Sequence, residues 1–298
     1  MPARSGLEIR LFGHAAVSCG GSSVKFAKRA STIAMLAYVL LRRGQPISRE
    51  ALAYVIFPEE DEAVALAELR RYLYLANKAL PAEDGLCLIA DAETVRWNDK
   101  SGAFVDVLEF ERMAADPQSH ARAVDLYAGD LLEDVYEDWV VAERERLRAR
   151  YLEILKALVE RQRLSRDFQA AIAFARRILT ADPWREDTLR TLVTLRYESG
   201  DTAGALAEYE RFAKRLRDDL AIAPMPETAA LRQSILRNEA IPGVLEPPPS
   251  AGEPNVRASR VLPFVGREPE MAKLHAAWTR AARGSGGLVV VSGEAGVG

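Results

Sequence analysis

Apolar residues recur at every second position near the start of the chain. Leu7, Ile9 and Leu11 alternate with polar residues, and the same period resumes beyond the glycine pair at 20–21. This alternation is typical of short half-buried strands, so it predicts a small N-terminal antiparallel sheet. From Ile33 onward the apolar spacing becomes helical and predicts a first helix.

Two more helices and a hairpin complete the first hundred residues. Ser48 is placed to cap a second helix, which ends near residue 57, and a third helix runs over about 63–80. The apolar stripe of this third helix consists of Leu66, Leu69, Leu73, Ala76 and Leu80. Two β-like runs, 86–90 and 95–97, follow it. The order of elements predicts a winged helix, in which the second and third helices form the helix-turn-helix and the hairpin forms the wing.

An internal repeat marks the second part of the chain, which has helical spacing from about 106 to 238. Asp201 follows Asp167 by 34 residues, and Ala205 stands to Asp201 as Ala171 stands to Asp167. This offset is the period of tetratricopeptide repeats, whose helix pairs stack on their neighbours. The stripes expected to be buried are Leu147, Tyr151, Leu155 and Leu158, then Leu189, Leu192 and Leu195.

The predicted fold class is therefore mostly α. We expect an N-terminal winged helix with small antiparallel β-sheets at 1–105, then an all-α, tetratricopeptide-like helical repeat domain at 106–238. The segment 239–259 contains three consecutive prolines and no periodicity, so it is interpreted as a linker. A further domain is predicted to begin in 260–298.

Composition restricts the class of protein without identifying it. The chain has 298 residues and a formal net charge of −3, which favours neither a nucleic acid nor a membrane as partner. Cys19 and Cys87 are predicted to be reduced core residues of a cytoplasmic protein. The N-terminus lacks a signal-peptide pattern, and the longest apolar run, 33–41, is about half of what spans a bilayer. We therefore expect no membrane association.

No catalytic constellation is recognisable in the sequence. The three histidines, His14, His120 and His275, have no metal-ligand spacing, and no pair of nucleophile and base can be named. The sequence as it stands is therefore predicted not to be an enzyme.

The helical part carries the most specific motifs. The stretches "AVDLYAGDLLEDVYEDWVVAERERLRARYLEIL" and "GDTAGALAEYERFAKRLRDDLAIAPMPETAAL" resemble the activator domain and closing repeat of SARP-type bacterial transcriptional activators. The matching residues are Tyr127, Gly129, Asp130, Leu131, Leu132, Trp139, Glu143, Arg144 and Leu147, then Gly200, Asp201, Ala205, Leu206, Tyr209, Leu216 and residues 224–228. The resemblance covers about residues 7–238 and implies a bacterial DNA-binding regulator.

The end of the chain resembles the start of an ATPase of the STAND or AAA type. "FVGREPEM" is followed by "VVVSGEAGVG", which matches the first six positions of a phosphate-binding loop, G-x-x-x-x-G-K-[ST]. The loop residues are Gly293, Glu294, Ala295, Gly296, Val297 and Gly298. The lysine and the Ser/Thr are not in this sequence, so we expect it to be the N-terminal part of a larger protein. The resemblance implies ATP and Mg²⁺ for that protein and no cofactor for this chain.

Candidate DNA-binding residues follow from the winged-helix prediction. The buried stripe of the third helix leaves Arg70, Arg71, Tyr74, Asn77 and Lys78 on or near the exposed face, where arginine can bind guanine or phosphate. Arg49, Lys28 and Arg29 are candidates for phosphate contacts, and Arg96 lies on the predicted wing.

Charges near this face also support a different interpretation. Exposed arginines are commonly only solvated, and the acids Glu59 to Glu62 beside the third helix would repel phosphate. Residues 1–105 contain 13 Lys/Arg and 12 Asp/Glu, a net charge of only +1, whereas DNA readers are usually more basic. We therefore expect isolated DNA binding to be weak and to depend on dimerisation, RNA polymerase contacts or the ATPase part.

Two functions of different classes remain open from the sequence. The first is a transcriptional regulator that binds promoter DNA through the winged helix and uses the helical domain for a homodimer or partner contacts, under ATPase-gated control. The second is a signalling ATPase whose winged helix and repeats are protein-interaction modules without DNA binding. The acidic start of the third helix and the nearly neutral domain favour the second.

The incomplete phosphate-binding loop generates a prediction about nucleotide. We expect this chain to give no measurable Mg-ATP binding in titration calorimetry, because the loop lysine and the metal-binding hydroxyl are missing from it. A longer chain with the whole ATPase domain is expected to bind. Micromolar binding by the present chain would contradict the interpretation.

Overall fold

The computed structural model describes residues 6–26, 29–42, 44–81, 85–239, 241 and 268–282. The chain forms two compact units, Met1–Pro248 and Pro249–Gly298. The boundary between them falls inside the proline-rich segment 239–259. Within the second unit the structure describes one helix, Glu268–Ala282.

A winged helix occupies the first part of the larger unit. Its strands are β1 Leu7–Arg10, β2 Ala16–Cys19, β3 Ser22–Ser23, β4 Ile47–Ser48, β5 Leu88–Ala90, β6 Thr94–Trp97 and β7 Phe104–Val105; its helices are α1 Arg29–Leu41, α2 Arg49–Ile56 and α3 Glu62–Ala79. The predicted fold class is confirmed for this part.

Two small sheets frame these helices. The first has the order β3-β2-β1-β7 and the second β4-β6-β5. Ile9 pairs with Val17 in an antiparallel register, whereas β7 runs parallel to β1 through the pair Ile9 and Val105. The prediction of antiparallel sheets omitted β7, because two residues are too short to show a period. β7 leads directly into the next helix.

Local sequence signals explain where α2 and α3 begin and end. The Ser48 side chain accepts a hydrogen bond from the N–H of Ala51 at 3.1 Å and caps α2, as predicted. On α3 the predicted stripe is buried at Leu69, Leu73 and Ala76, whereas Leu66 is half-buried. Tyr72 is also buried on this helix, where its ring packs edge-on against Phe57. The packed stripe directs the opposite side of α3 to solvent.

Helices follow from Asp106 onward. They are α4 Asp106–Ala114, α5 His120–Leu126, α6 Asp138–Leu164, α7 Phe168–Ala181, α8 Glu186–Glu198, α9 Thr202–Arg215 and α10 Pro226–Arg237, with a π-helical turn at Leu216–Leu220. Residues 140–235 contain no strand, as expected. The seven stripe residues predicted for this part are all buried.

The internal repeat appears as two equivalent helix caps. The Asp167 carboxylate accepts from the N–H of Ala170 at the start of α7, and the Asp201 carboxylate accepts from the N–H of Gly204 at the start of α9. Ala171 and Ala205, four residues after each cap, are fully buried. The 34-residue offset therefore corresponds to a repeated helix start and a repeated packing position. The assignment to the tetratricopeptide class stays a prediction.

One irregular segment, Tyr127 to Glu137, interrupts the helices and packs against the end of β1. Phe12 forms an isolated bridge with Leu131, and the N–H of Leu132 donates to the carbonyl of Leu11 at 2.8 Å. The expectation of continuous helix was wrong here. The segment pairs with residues about 120 positions earlier in the chain, and such a contact produces no local hydrophobic period by which the sequence could reveal it. We call this contact between the end of β1 and residues 127–135 the β1 junction.

The β1 junction is packed by residues of the motif that carried the family resemblance. The Arg144 guanidinium donates to the carbonyls of Leu131, Leu132 and Val135 at 2.8–3.1 Å. A Cβ at Gly129 would lie 2.5 Å from Oε1 of Glu133 and 3.1 Å from the Cα of Gly13, so the Glu133 side chain and the neighbouring backbone would have to shift to admit a side chain. Position 129 therefore favours glycine.

A buried carboxylate completes the end of β1. Asp106 is 5% exposed, and its oxygens accept hydrogen bonds from the N–H groups of Leu11 and Phe12 at 2.9–3.1 Å and from its own neighbour Val107 at 2.7 Å. Burial raises the pKa of Asp106 above its ordinary value, and these N–H donors act in the opposite direction. The carboxylate also lies at the N-terminus of α4, where negative charge is favourable.

The winged helix and the first helices of the second part share one core. A single cluster of buried apolar residues extends from Leu7 to Leu195, and the rings of Phe12, Phe110 and Tyr127 contact one another across the β1 junction. The predicted boundary at residue 105 thus lies between consecutive elements of one packed body. A smaller cluster around Phe212 and Ile235 fills the last helices.

The role of Asp106 can be tested by Asp106→Asn. The asparagine amide places an NH₂ against a backbone N–H, so we expect the free energy of unfolding to fall by about 1–3 kcal/mol. The exposed Asp218→Asn is the matched control and is expected to unfold like the wild type. Equal unfolding midpoints for Asp106→Asn and the wild type in urea would contradict this role.

Candidate nucleic-acid interface

The exposed side of α3 presents a stripe of cationic and aromatic side chains. Arg70, Arg71, Tyr74 and Lys78 are exposed, with Tyr74 at 65%. Their spacing of three and four residues places them on one helix face, opposite the buried Leu69 and Leu73. We call these four residues the α3 stripe.

The cationic side chains of the α3 stripe form few ion pairs with the described residues. Arg71 makes a long 3.4 Å contact with Glu68, and both side chains are partly exposed. Within the described part of the chain, Arg70 and Lys78 have no ion-pair partner. An exposed pair of this kind contributes little to stability, so these side chains are available to an anionic ligand.

Asn77 has a different position from the one predicted for it. Its amide donates to the carbonyl of Leu88 at 2.8 Å and accepts from the N–H of Leu88 at 2.9 Å. The side chain is half-buried between α3 and the wing. We therefore leave Asn77 out of the set of candidate DNA contacts, since both ends of its amide bind the backbone.

The wing lies beside α3 and is held at its tip by α2. Arg49 donates from its guanidinium to the carbonyl of Asp91 at 2.7 Å, and its backbone N–H donates to Glu93 at 2.8 Å. Arg49, predicted as a phosphate contact, is thus already bound to the wing. Arg96 is half-buried on β6. Lys28 lies outside the described residues, and so does the side chain of Arg29 at the start of α1.

The wing tip is a tight turn organised by one aspartate. Asp91 Oδ1 accepts from the N–H groups of Glu93 and Thr94 at 2.9 and 2.6 Å, and Oδ2 accepts from the Thr94 hydroxyl. These donors, the Thr94 N–H first, lower the pKa of Asp91 below its ordinary value. The acid at the wing tip therefore shapes the turn, although it adds negative charge near the candidate interface.

The turn between α2 and α3 is acidic, as the sequence indicated. Residues 59–62 are exposed, and Asp61 precedes α3 without a side-chain cap hydrogen bond. A groove of about 380 Å³ runs here between Glu50, Tyr54, Glu60 and Glu62. Tyr54 is 75% exposed and was not predicted as a surface residue.

Other kinds of site are not found in the ranges that the structure describes. No group of histidine, cysteine and acidic side chains there could hold a metal ion. A groove of about 790 Å³ between α4 and α6 is lined by Arg112, Arg146 and Arg150, each already paired with a glutamate. None of the helices described has the length and apolar character needed to cross a membrane. The loop residues 293–298 lie outside the described part.

Comparison with known proteins relates the helical part to a family. Residues 105–236 match the family model of the bacterial transcriptional activator domain. The chain is similar to the regulatory protein AfsR of Streptomyces coelicolor and of Streptomyces griseus, at 26% and 27% identity over 287 residues. The match covers 89% of this chain and 28% of either relative, so the chain spans little more than a quarter of their length.

A solved structure shares the fold. Mycobacterium tuberculosis EmbR, determined in complex with a low-affinity phosphopeptide, superposes with a TM-score of 0.59 at 24% identity. The likeness covers 79% of this chain and 66% of EmbR. It shows the same arrangement of a winged helix followed by helical repeats.

The wing-tip turn yields a pH prediction. Folding lowers the pKa of Asp91. The stabilisation of the turn by the Asp91 carboxylate is therefore complete above the pKa of the unfolded chain, about 3.9. It is lost as the pH falls through the lower pKa of the folded state. We expect the Thr94 amide to lose protection from exchange in Asp91→Ala at neutral pH, and in the wild type only when the pH falls through the lowered pKa of Asp91. NMR-detected hydrogen exchange measures both.

Glu93→Ala is the control, because the Glu93 carboxylate has no hydrogen bond to the described residues. Its Thr94 amide is expected to exchange like that of the wild type. Unchanged exchange at Thr94 in Asp91→Ala would show that the carboxylate does not hold the turn.

Proposed function

We propose that the protein is a bacterial transcriptional regulator that binds promoter DNA through its winged helix. The observation that carries this proposal is the α3 stripe, a set of exposed cations and a tyrosine on the second helix of a helix-turn-helix, beside an ordered wing. The match to the bacterial transcriptional activator domain and the similarity to two regulatory proteins support the same function.

The stripe suggests different roles for its members. The recognition helix of a winged helix lies in the major groove, where an arginine reads guanine through two hydrogen bonds. Arg70 and Arg71, near the middle of α3, are assigned to base edges. Lys78 lies in the last turn of α3 and is assigned to phosphate, with Tyr74 between them. Arg96 contributes from the wing.

The charges around the stripe limit the affinity of a single copy. Few cations face the phosphates, and the exposed acids at 59–62 oppose them. Phosphate contacts supply much of the affinity for DNA and steepen its salt dependence. We therefore propose that tight binding needs a second copy or RNA polymerase, contacted through the helical part.

Nucleotide control belongs to the same proposal for a longer protein. The segment Gly293 to Gly298 matches the first positions of a phosphate-binding loop, and the curated relatives extend well beyond the matched region. ATP with Mg²⁺ is proposed to gate the regulator there, in the bacterial cytoplasm.

A specific observation favours a second candidate function. The groove beside Tyr54 is lined by three glutamates, Glu50, Glu60 and Glu62, at the turn between α2 and α3. Such a surface suits a basic protein partner, so the winged helix could act as a protein-interaction module of a signalling ATPase. DNA binding separates the two functions.

The stripe assignments predict distinct effects of two substitutions on DNA binding. In fluorescence anisotropy with a duplex selected by the chain from a random pool, Arg70→Ala should weaken binding by roughly 1–3 kcal/mol and relax specificity at one position. Lys78→Ala should weaken selected and mixed-sequence duplexes alike and lower the salt slope by about one.

Arg122→Ala is the charge-matched control, since Arg122 is exposed on α5 and is expected to leave the affinity unchanged. Glu59→Gln with Glu60→Gln should strengthen binding to all duplexes by removing repulsion. If neither the wild type nor this acid-neutralised variant enriches any sequence from the pool, even at high protein concentration with RNA polymerase present, the DNA-binding function is wrong and the interaction module is favoured.

A further inference from the structure

The wing strand β5 has an open edge, and α3 covers it. In the order β4-β6-β5, β5 is hydrogen-bonded to β6 on one side only, with Leu88 opposite Trp97. A residue in an antiparallel strand directs its N–H and C=O to the same side. Leu88 directs both groups away from β6 and towards α3, where they would lack partners if α3 were apolar at this point.

The Asn77 amide supplies both partners. It donates to the Leu88 carbonyl at 2.8 Å and accepts from the Leu88 N–H at 2.9 Å, so it pairs with the strand edge as another strand would. A primary amide is the smallest side chain with a donor and an acceptor in this arrangement. Lysine, arginine or aspartate at position 77 could satisfy one of the two groups but not both.

This contact lies between the two elements that face DNA in the proposed function. Asn77 is one residue before Lys78 of the α3 stripe, and Leu88 shares a hairpin with Arg96, since its neighbour Ile89 pairs with Arg96. At the other end of the hairpin, Arg49 of α2 donates to the carbonyl of Asp91. The wing is thus held by the helix-turn-helix at both its base and its tip.

We propose that Asn77 is a positioning residue for DNA binding, which fixes the wing against the recognition helix so that Arg96 and the α3 stripe meet the duplex together. The inference rests on the proposed function. Asn77 touches no nucleic acid in this scheme, and its effect on affinity passes through the placement of the wing.

The test compares Asn77→Ala with the wild-type chain on the duplex selected from the random pool. We expect Asn77→Ala to bind about fivefold or more weakly, and the Leu88 amide to lose protection in hydrogen exchange, because the strand edge is left unpaired. Thr228→Ala is the control for stability. It removes a buried hydroxyl that accepts from Arg190 in the helical part, and it should lower the unfolding midpoint without changing DNA affinity.

A double-mutant cycle with Arg96→Ala separates positioning from stability. If Asn77 positions the wing, Arg96→Ala weakens binding in the wild type but by less than about twofold in the Asn77→Ala background. Full additivity, or an Asn77→Ala variant that binds like the wild type, overturns the inference. So does an Arg96→Ala variant with unchanged affinity, since the wing would then contribute nothing. Failure of the wild type itself to bind the pool overturns the proposed function and the inference with it.

Discussion

The arrangement of this protein depends on how the end of β1 is satisfied. Leu11 and Phe12 are buried and lie just beyond the paired residues of β1, so their N–H groups have no partner in the neighbouring strand. An unpaired buried N–H is costly, and the Asp106 carboxylate accepts both. Because Asp106 directly follows β7, which pairs with β1, no linker separates the winged helix from the helices after it. The direction of α4, and of the helices stacked on it, is set by the sheet.

This direct connection between the sheet and α4 explains the structural roles of the motif residues in the helical part. Arg144 binds three carbonyls of the segment that pads β1, and the Tyr127 ring lies against Phe12 on one side and stacks on Tyr151 of α6 on the other. Trp139 packs edge-on against Tyr38 of α1. These side chains join the winged helix to α6 rather than form a ligand site. The winged helix and the first helices of the second part are therefore packed as one body around a shared core.

Local periodicity was enough to predict the helices of the winged helix, the wing and the 34-residue repeat that relates Asp167 to Asp201. Contacts between residues that are distant in sequence were not predicted. The segment 127–137 bridges to the end of β1, and the two-residue strand β7 pairs with β1. The conformation of the Asn77 side chain is set by its hydrogen bonds to Leu88. Asn77 and Lys78 have neighbouring positions and similar polarity, so only the edge of β5 distinguishes a structural residue from a candidate DNA contact.

Charged pairs contribute, together with apolar packing, to the attachment of the last helices. The cluster around Phe212 is separate from the main core, and Glu198 of α8, fully buried, binds Arg163 of α6 through two oxygens at 2.6–2.9 Å. Glu208 of α9 likewise receives Arg176 and Arg196 from the two preceding helices. Buried ion pairs add little net stability because both partners lose water, but a misplaced partner leaves a buried charge unpaired. These pairs therefore favour one stacking register for α8 and α9, and they act together with the buried side chains of α8, which belong to both apolar clusters.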